Sequence, residues 1–246
     1  MVGWCPSQRQ LERSTRVSAA PALPHPLLPV FLAAADAAFP PADGQVIFMP
    51  APQKGMHAIV SFTGHAIVAT SLPATDFAEF DLDGFGSALE PGVLQRLAGP
   101  GGEIGVLDVT LVRHGQGGGS RLPMRDDLDH HPRVLHARRL RSDVRVHGDD
   151  RGLITIASGL AGRTEMSVEL HHPDSSDGAG RALIHEALRL VPAGEPVFAA
   201  VAPGNARSLR AFLASGFRPI SSEVIITADS YDPASTATRE ASSCSS

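Results

Sequence analysis

The residues with the clearest chemical potential form the run Ser175-Ser176-Asp177-Gly178-Ala179-Gly180-Arg181-Ala182. It lies between an alternating segment, 165–170 (EMSVEL), and an amphipathic one, 181–190 (RALIHEALRL). Two glycines one residue apart allow backbone conformations closed to other residues and let a ligand approach the main chain. A helix starting here would offer unpaired N–H groups and a positive dipole end, which suits an anion such as pyrophosphate. A bare G-x-G also builds tight turns, so the loop by itself leaves a plain connector open. Leu183 stands where a dinucleotide fingerprint needs its third glycine. No lysine comes after it to complete a nucleoside-triphosphate loop.

Three pieces in chain order resemble the GNAT superfamily of N-acetyltransferases, from about residue 144 to 226. The first is the strand-like segment 165–170, which ends in an aliphatic residue eight positions before Gly178. The second is the glycine loop, similar to the superfamily's Arg/Gln-x-x-Gly-x-Gly/Ala signature and beginning at Ser175. The third runs from Asn205-Ala206-Arg207-Ser208 through Phe212 to Ser215-Gly216-Phe217, like the family's Asn, small residue, aromatic and Gly-Phe ending.

The resemblance implies a mixed α/β acyl-CoA N-acyltransferase fold, with a central, mostly antiparallel sheet flanked by helices and an additional N-terminal α/β region. It also implies acetyl-CoA as co-substrate, no metal, and an amine acceptor, small molecule or protein. Backbone groups near Val168 to Leu170 would pair with the pantetheine arm. Amides of Ser176, Asp177, Gly178, Ala179, Gly180, Arg181 and Ala182 would hold the pyrophosphate. Asn205 would reach the pantetheine, with Ser208 beside it on the cofactor side. An amine would attack the thioester carbonyl while a backbone N–H near Leu170 stabilises the oxyanion. Glu165 and Glu169 are the nearest carboxylates able to take the amine's proton; their alternative role is a solvated polar face.

Three positions depart from the family pattern. Ser175 replaces a long polar side chain, and Asp177 puts an anion beside the presumed phosphates. At ~6 Å and an effective dielectric near 20, that repulsion would reach about 3 kcal/mol, more than the ~0.3–1 kcal/mol a helix terminus returns. Asp177 is therefore expected to point to solvent, with Arg181 supplying compensating charge. Phe212 stands where many relatives carry a tyrosine that protonates the leaving thiolate. These departures keep alive a second reading, a non-catalytic CoA-binding or protein-interaction module. A third is an α/β domain without cofactor, in which Gly178 and Gly180 only make a turn.

Other clusters read more plainly. His130, His131 and His136 accompany Asp126, Asp127 and Asp129 at a spacing that fits no metal motif, so they are expected in a polar loop entering a helix. His171-His172 borders the presumed site as a surface turn or a base. Arg133, Arg138, Arg139, Arg141 and Arg145 form a basic stretch that reads as a solvated helix face or as a partner for acidic groups. Asp83 to Leu89 echoes Asp177 to Leu183, a likeness read as chance because Pro91 interrupts the stretch after the first copy.

Along the rest of the chain, periodicity predicts helices near 26–38, 91–98, 131–141, 181–190 and 206–214. Strands are predicted at 45–48, 57–62, 65–71, 104–112, 144–147, 153–158, 165–170, 196–201 and 217–226, with a hairpin turn over 148–152. Division falls near Gly99-Pro100-Gly101-Gly102. A leader (1–22) and a small-polar tail (229–246) are expected to be disordered, around an N-terminal α/β region (23–102) and a GNAT-like region (103–228).

Composition bounds the class. Apolar residues are 43% and charged ones 19%, enough for a sizeable core, while 24 glycines and 20 prolines forecast many turns. Lys+Arg 21 against Asp+Glu 26 leaves −5, which disfavours nucleic-acid wrapping. Lys54 is the sole lysine, an arginine bias read as a GC-rich bacterial genome. Cys5 and Cys244 sit in the terminal stretches, so neither a disulfide framework nor a thiolate metal site is expected, and a cytoplasmic home is the expectation. The run Leu27 to Phe39 is broken by Pro29 and Asp36 and is too short to span a membrane; prolines also argue against a signal peptide there. Homodimerisation is left open.

Overall fold

A computed structural model describes residues 23–172 and 178–232. The expected leader, residues 233–246 of the expected tail, and Ser175, Ser176 and Asp177 lie outside these residues.

The chain begins with α1 (Leu27–Ala35), β1 (Val46–Met49), β2 (Met56–Phe62), β3 (His65–Ala69) and α2 (Pro91–Ala98). Then come β4 (Glu103–Ile104), β5 (Asp108–His114), α3 (Pro132–Leu140), β6 (Ser142–Asp149), β7 (Gly152–Ser158) and β8 (Thr164–Leu170). The last elements are α4 (Ala179–Leu190), β9 (Pro196–Val201), α5 (Ala206–Ala214) and β10 (Arg218–Thr227). The strands form one sheet in the order β1-β3-β2-β10-β5-β9-β8-β7-β6, with β4 also on β10. Two neighbouring pairs are parallel, β1 with β3 and β8 with β9; the others are antiparallel. The result is the mixed α/β architecture expected from the sequence, with five α-helices among the described residues.

The sheet does not stop at the Gly99–Gly102 loop. β2 pairs with β10 from Ser61↔Ser222 to Met56↔Thr227. Alternation along the strands then sorts side chains to opposite faces. Leu111, Val197 and Ala199 meet Leu183, Ile184, Ala187 and Leu188 of α4, together with Phe212 and Phe217. Their sequence neighbours Val112 and Phe198 join Leu27, Phe31, Ala58 and Val60 in a second cluster. A third cluster packs Val93 and Leu97 of α2 on Ile59, Val224 and Ile226.

The predicted strand 104–112 is a correction. It divides into β4 and β5, with Gly105 to Leu107 between them unpaired as strand. Both pieces pair with the same edge of β10, Ile104↔Ile226 and Asp108↔Glu223, with the register slipping by one residue between them, and a Cβ on Gly105 would lie 2.6 Å from the carbonyl oxygen of Ile225. The break makes Asp108 the first residue of β5.

Candidate active site

β8 pairs with β7 along its whole length, from Ser158↔Thr164 to Gly152↔Leu170. On its other side it meets β9 at one register position, Glu165↔Phe198. The two parallel strands therefore part after Glu165, and the edge of Met166 to Leu170 has no strand partner on that side among the described residues. A cavity of about 300 Å³ occupies the opening. One wall is Met166, Ser167 and Val168 with Ala200–Ala202, Asn205, Ser208 and Phe212; the opposite wall comes from α3, β10 and the start of β5.

The helix beyond the glycine loop stands at the outer end of this opening. Gly178 adopts φ 82° as the N-cap of α4, a left-handed conformation that a side chain would strain. The first intrahelical bond runs from the Ala182 amide to the Gly178 carbonyl, 3.1 Å, so the Gly180 and Arg181 amides precede the helical ladder. A methyl group at Gly180 would meet Leu170 Cδ1 at 3.7 Å and Ala211 Cβ at 3.9 Å, ordinary contacts that fix this turn beside β8 and α5. Asn205 caps α5, its Oδ1 accepting from the Ser208 amide at 3.1 Å. Val168, Asn205 and Ser208 line the cavity, whereas Gly178, Ala179, Gly180, Arg181 and Ala182 do not, Gly180 lying instead against Leu170 and Ala211.

The expected bases have other engagements. Glu165 is 2% exposed, so the solvated face considered for it is corrected by burial. Its Oε1 accepts from Arg163 Nε at 2.8 Å and from the Leu160 amide at 3.0 Å, and its Oε2 pairs with Arg141 Nε at 2.7 Å. Burial favours its neutral form, yet Arg163 and Arg141 outweigh that and hold its carboxyl well below the usual range. Glu169, at the far end of β8, accepts from Arg133 Nε at 2.9 Å.

Arg163 is fully buried. Its NH2 donates to Glu223 Oε1 at 2.6 Å, and its guanidinium carbon lies 4.2 Å from the Phe31 ring centroid and 5.2 Å from that of Phe198. Burial opposes its charge, but Glu223 and Glu165 together raise its proton affinity further. Thr110 Oγ1 completes the network by donating to Glu223 Oε2 at 2.5 Å.

Sequence reasoning missed Asp108. It lies directly opposite Glu223 in the β5–β10 register and lines the cavity. No hydrogen bond or ion pair from the described residues reaches its carboxylate. Burial first, then the Glu223 charge, push its pKa up to about 6; Arg141 and Arg163 offset part of that, and Glu165 adds to it. The available signal is an acidic residue inside the apolar run IGVLDVTLV, three positions after Gly105.

The remaining clusters resolve into local structure. His131 Nδ1 accepts from the Arg133 amide at 3.2 Å and caps α3. Asp127 pairs with Arg125 at 2.8 Å and Asp129 with Arg138 at 2.6 Å. Among the described residues no three His, Cys, Asp or Glu side chains converge as a metal site. His136 lines the cavity, where desolvation and then Arg141, Arg133 and Arg139 lower its pKa. His171 and His172 are exposed. Phe212 is buried edge-on against Phe217, ring centroids 4.9 Å apart. No helix among the described residues is long and apolar enough to cross a membrane.

No family model and no curated protein matches the chain. Among solved structures, it is similar to a protein from Novosphingobium aromaticivorans assigned to the GNAT family of acetyltransferases: 15% identity, 55% of this chain and 70% of that one, TM-score 0.37. It is also similar to a GCN5-related N-acetyltransferase from Kribbella flavida: 14% identity, 57% of this chain and 65% of that one, TM-score 0.34. At these values the geometry of the chain itself, rather than either likeness, bears on what it does.

Proposed function

We propose that the chain is an acyl-CoA-dependent N-acyltransferase that moves an acetyl group from acetyl-CoA to an amine. The observation that carries this reading is the opening between β8 and β9, which exposes the backbone edge of Met166–Leu170 beside the first turn of α4. A pantetheine arm can extend that edge by main-chain hydrogen bonds, while the amides entering α4 receive the pyrophosphate. Asn205 and Ser208 line the other side of the same channel.

Asp108, rather than Glu165 or Glu169, is the base in this scheme. It takes one proton from the incoming ammonium, and the freed amine attacks the thioester carbonyl. The C–N bond forms, and a backbone N–H on the open edge of β8 holds the oxyanion. Collapse breaks the C–S bond, and the second nitrogen proton passes to the leaving thiolate directly or through water. Asp108 then returns its proton to solvent. A pKa of about 6 leaves the carboxylate ionised at neutral pH yet a better base than an ordinary aspartate.

Phe212 favours a second reading, a CoA-binding module without turnover, because it has no hydroxyl to protonate a thiolate and is packed against Phe217. Acetyl-CoA titration combined with CoA release over a panel of amines separates the two. Binding with turnover supports the transferase; binding with none across the panel supports the module.

A further inference from the structure

We infer that the acceptor is a small amine with one positive charge and an uncharged body, its ammonium seated on Asp108 inside the cavity. This inference rests on the transferase reading and extends it to the substrate class.

Charge pairing around the cavity carries the inference. Arg133 is paired with Glu169 at 2.9 Å, Arg141 with Glu165 at 2.7 Å, and Arg139 with Glu103. Glu223 is held by Arg163 at 2.6 Å and by Thr110 at 2.5 Å. Burial, and then Arg141, Arg133 and Arg139, disfavour the cationic form of His136. One carboxylate remains without a partner among the described residues, that of Asp108, and it faces Glu223 across the strand pair. Like charges directly opposite in a sheet repel, so the position calls for a cation. A single ammonium supplies it.

The rest of the wall limits the substrate further. Val106, Ala137, Leu140 and Ile225 give the cavity apolar surface. A second ammonium would meet arginines whose counter-charges are already engaged. A carboxylate on the substrate would be brought toward Asp108 and Glu223, and winning an arginine would mean breaking an existing pair. Neither group finds a complement.

A matched series tests this: n-butylamine, 1,4-diaminobutane and 4-aminobutanoate share a four-carbon skeleton and end in a neutral, a cationic and an anionic group respectively. Calorimetric titration of each into the full chain saturated with CoA reads binding without requiring turnover, and CoA release from acetyl-CoA reads kcat/KM. Butylamine is expected to lead both others by at least tenfold, and Asp108→Asn to weaken its binding at least tenfold. Equal or tighter binding of the diamine or the amino acid would overturn the inference, as would unchanged butylamine affinity in Asp108→Asn. Failure of acetyl-CoA itself to bind would instead strike the transferase reading.

Discussion

Asp108 is held where its charge is unfavourable, and that has a measurable consequence. Its pKa rises from 3.8 to about 6 on folding, so the folded state resists ionisation more than the unfolded chain does. The resulting destabilisation is fully present above about pH 6 and vanishes as pH falls through the ordinary value near 4. Asp108→Asn should therefore stabilise the protein at pH 8 by about 1–2 kcal/mol after allowing for solvent screening, a few degrees in Tm, and leave it unchanged at pH 4. The same variant should lose ~10²–10⁴ in acetyl transfer, since a general base is removed. Thermal melts at the two pH values and CoA-release rates check both. Arg163 shows the opposite balance. Arg163→Met leaves Glu165 and Glu223 buried without their shared cation, and should cost about 3–5 kcal/mol in urea unfolding. Single residues are the least legible level of the sequence. Glu165 reads there as a carboxylate on a polar strand face, and only the fold brings Arg141, Arg163 and the Leu160 amide onto it.

Elements are legible where the chain punctuates itself. The bounds of α2, β9 and α5 coincide with those predicted, because Pro91 and Pro196 open two of them and Asn205 caps the third before Gly216. The break between β4 and β5 is not legible, since an apolar run with one glycine reads as a single strand until its slipped pairing along β10 is known. The short 3-10 turns, including Leu160–Gly162 beside Arg163, have no periodicity to announce them. The glycine loop supports a prediction at this scale. Gly180→Ala fits the unliganded protein, with its nearest contacts at 3.7 and 3.9 Å, and alanine is at least as good a helix residue. The variant should keep or slightly raise its Tm while CoA affinity falls at least tenfold. Unchanged affinity would mean that the turn has no ligand close to it.

At the scale of the molecule, the sheet joins the two halves that the composition of the Gly99–Gly102 loop marks off. Six register pairs link β2 to β10, and one apolar cluster mixes Leu27, Phe31 and Ala58 with Val112, Phe198 and Ile220. A fragment beginning at residue 103 would expose that cluster and one edge of β10, so it should be recovered aggregated, whereas the full chain should unfold in a single transition. This long-range pairing is what periodicity cannot show: local patterns identify strands, not their neighbours. It also sets the opening between β8 and β9, because β9 is held by β5 on one side and released by β8 on the other. Hydrogen–deuterium exchange with and without saturating acetyl-CoA tests that opening most directly. Slowed exchange confined to the amides of Met166–Leu170 and of Gly178–Ala182 is expected; bound cofactor with no protection on either segment would contradict the assignment.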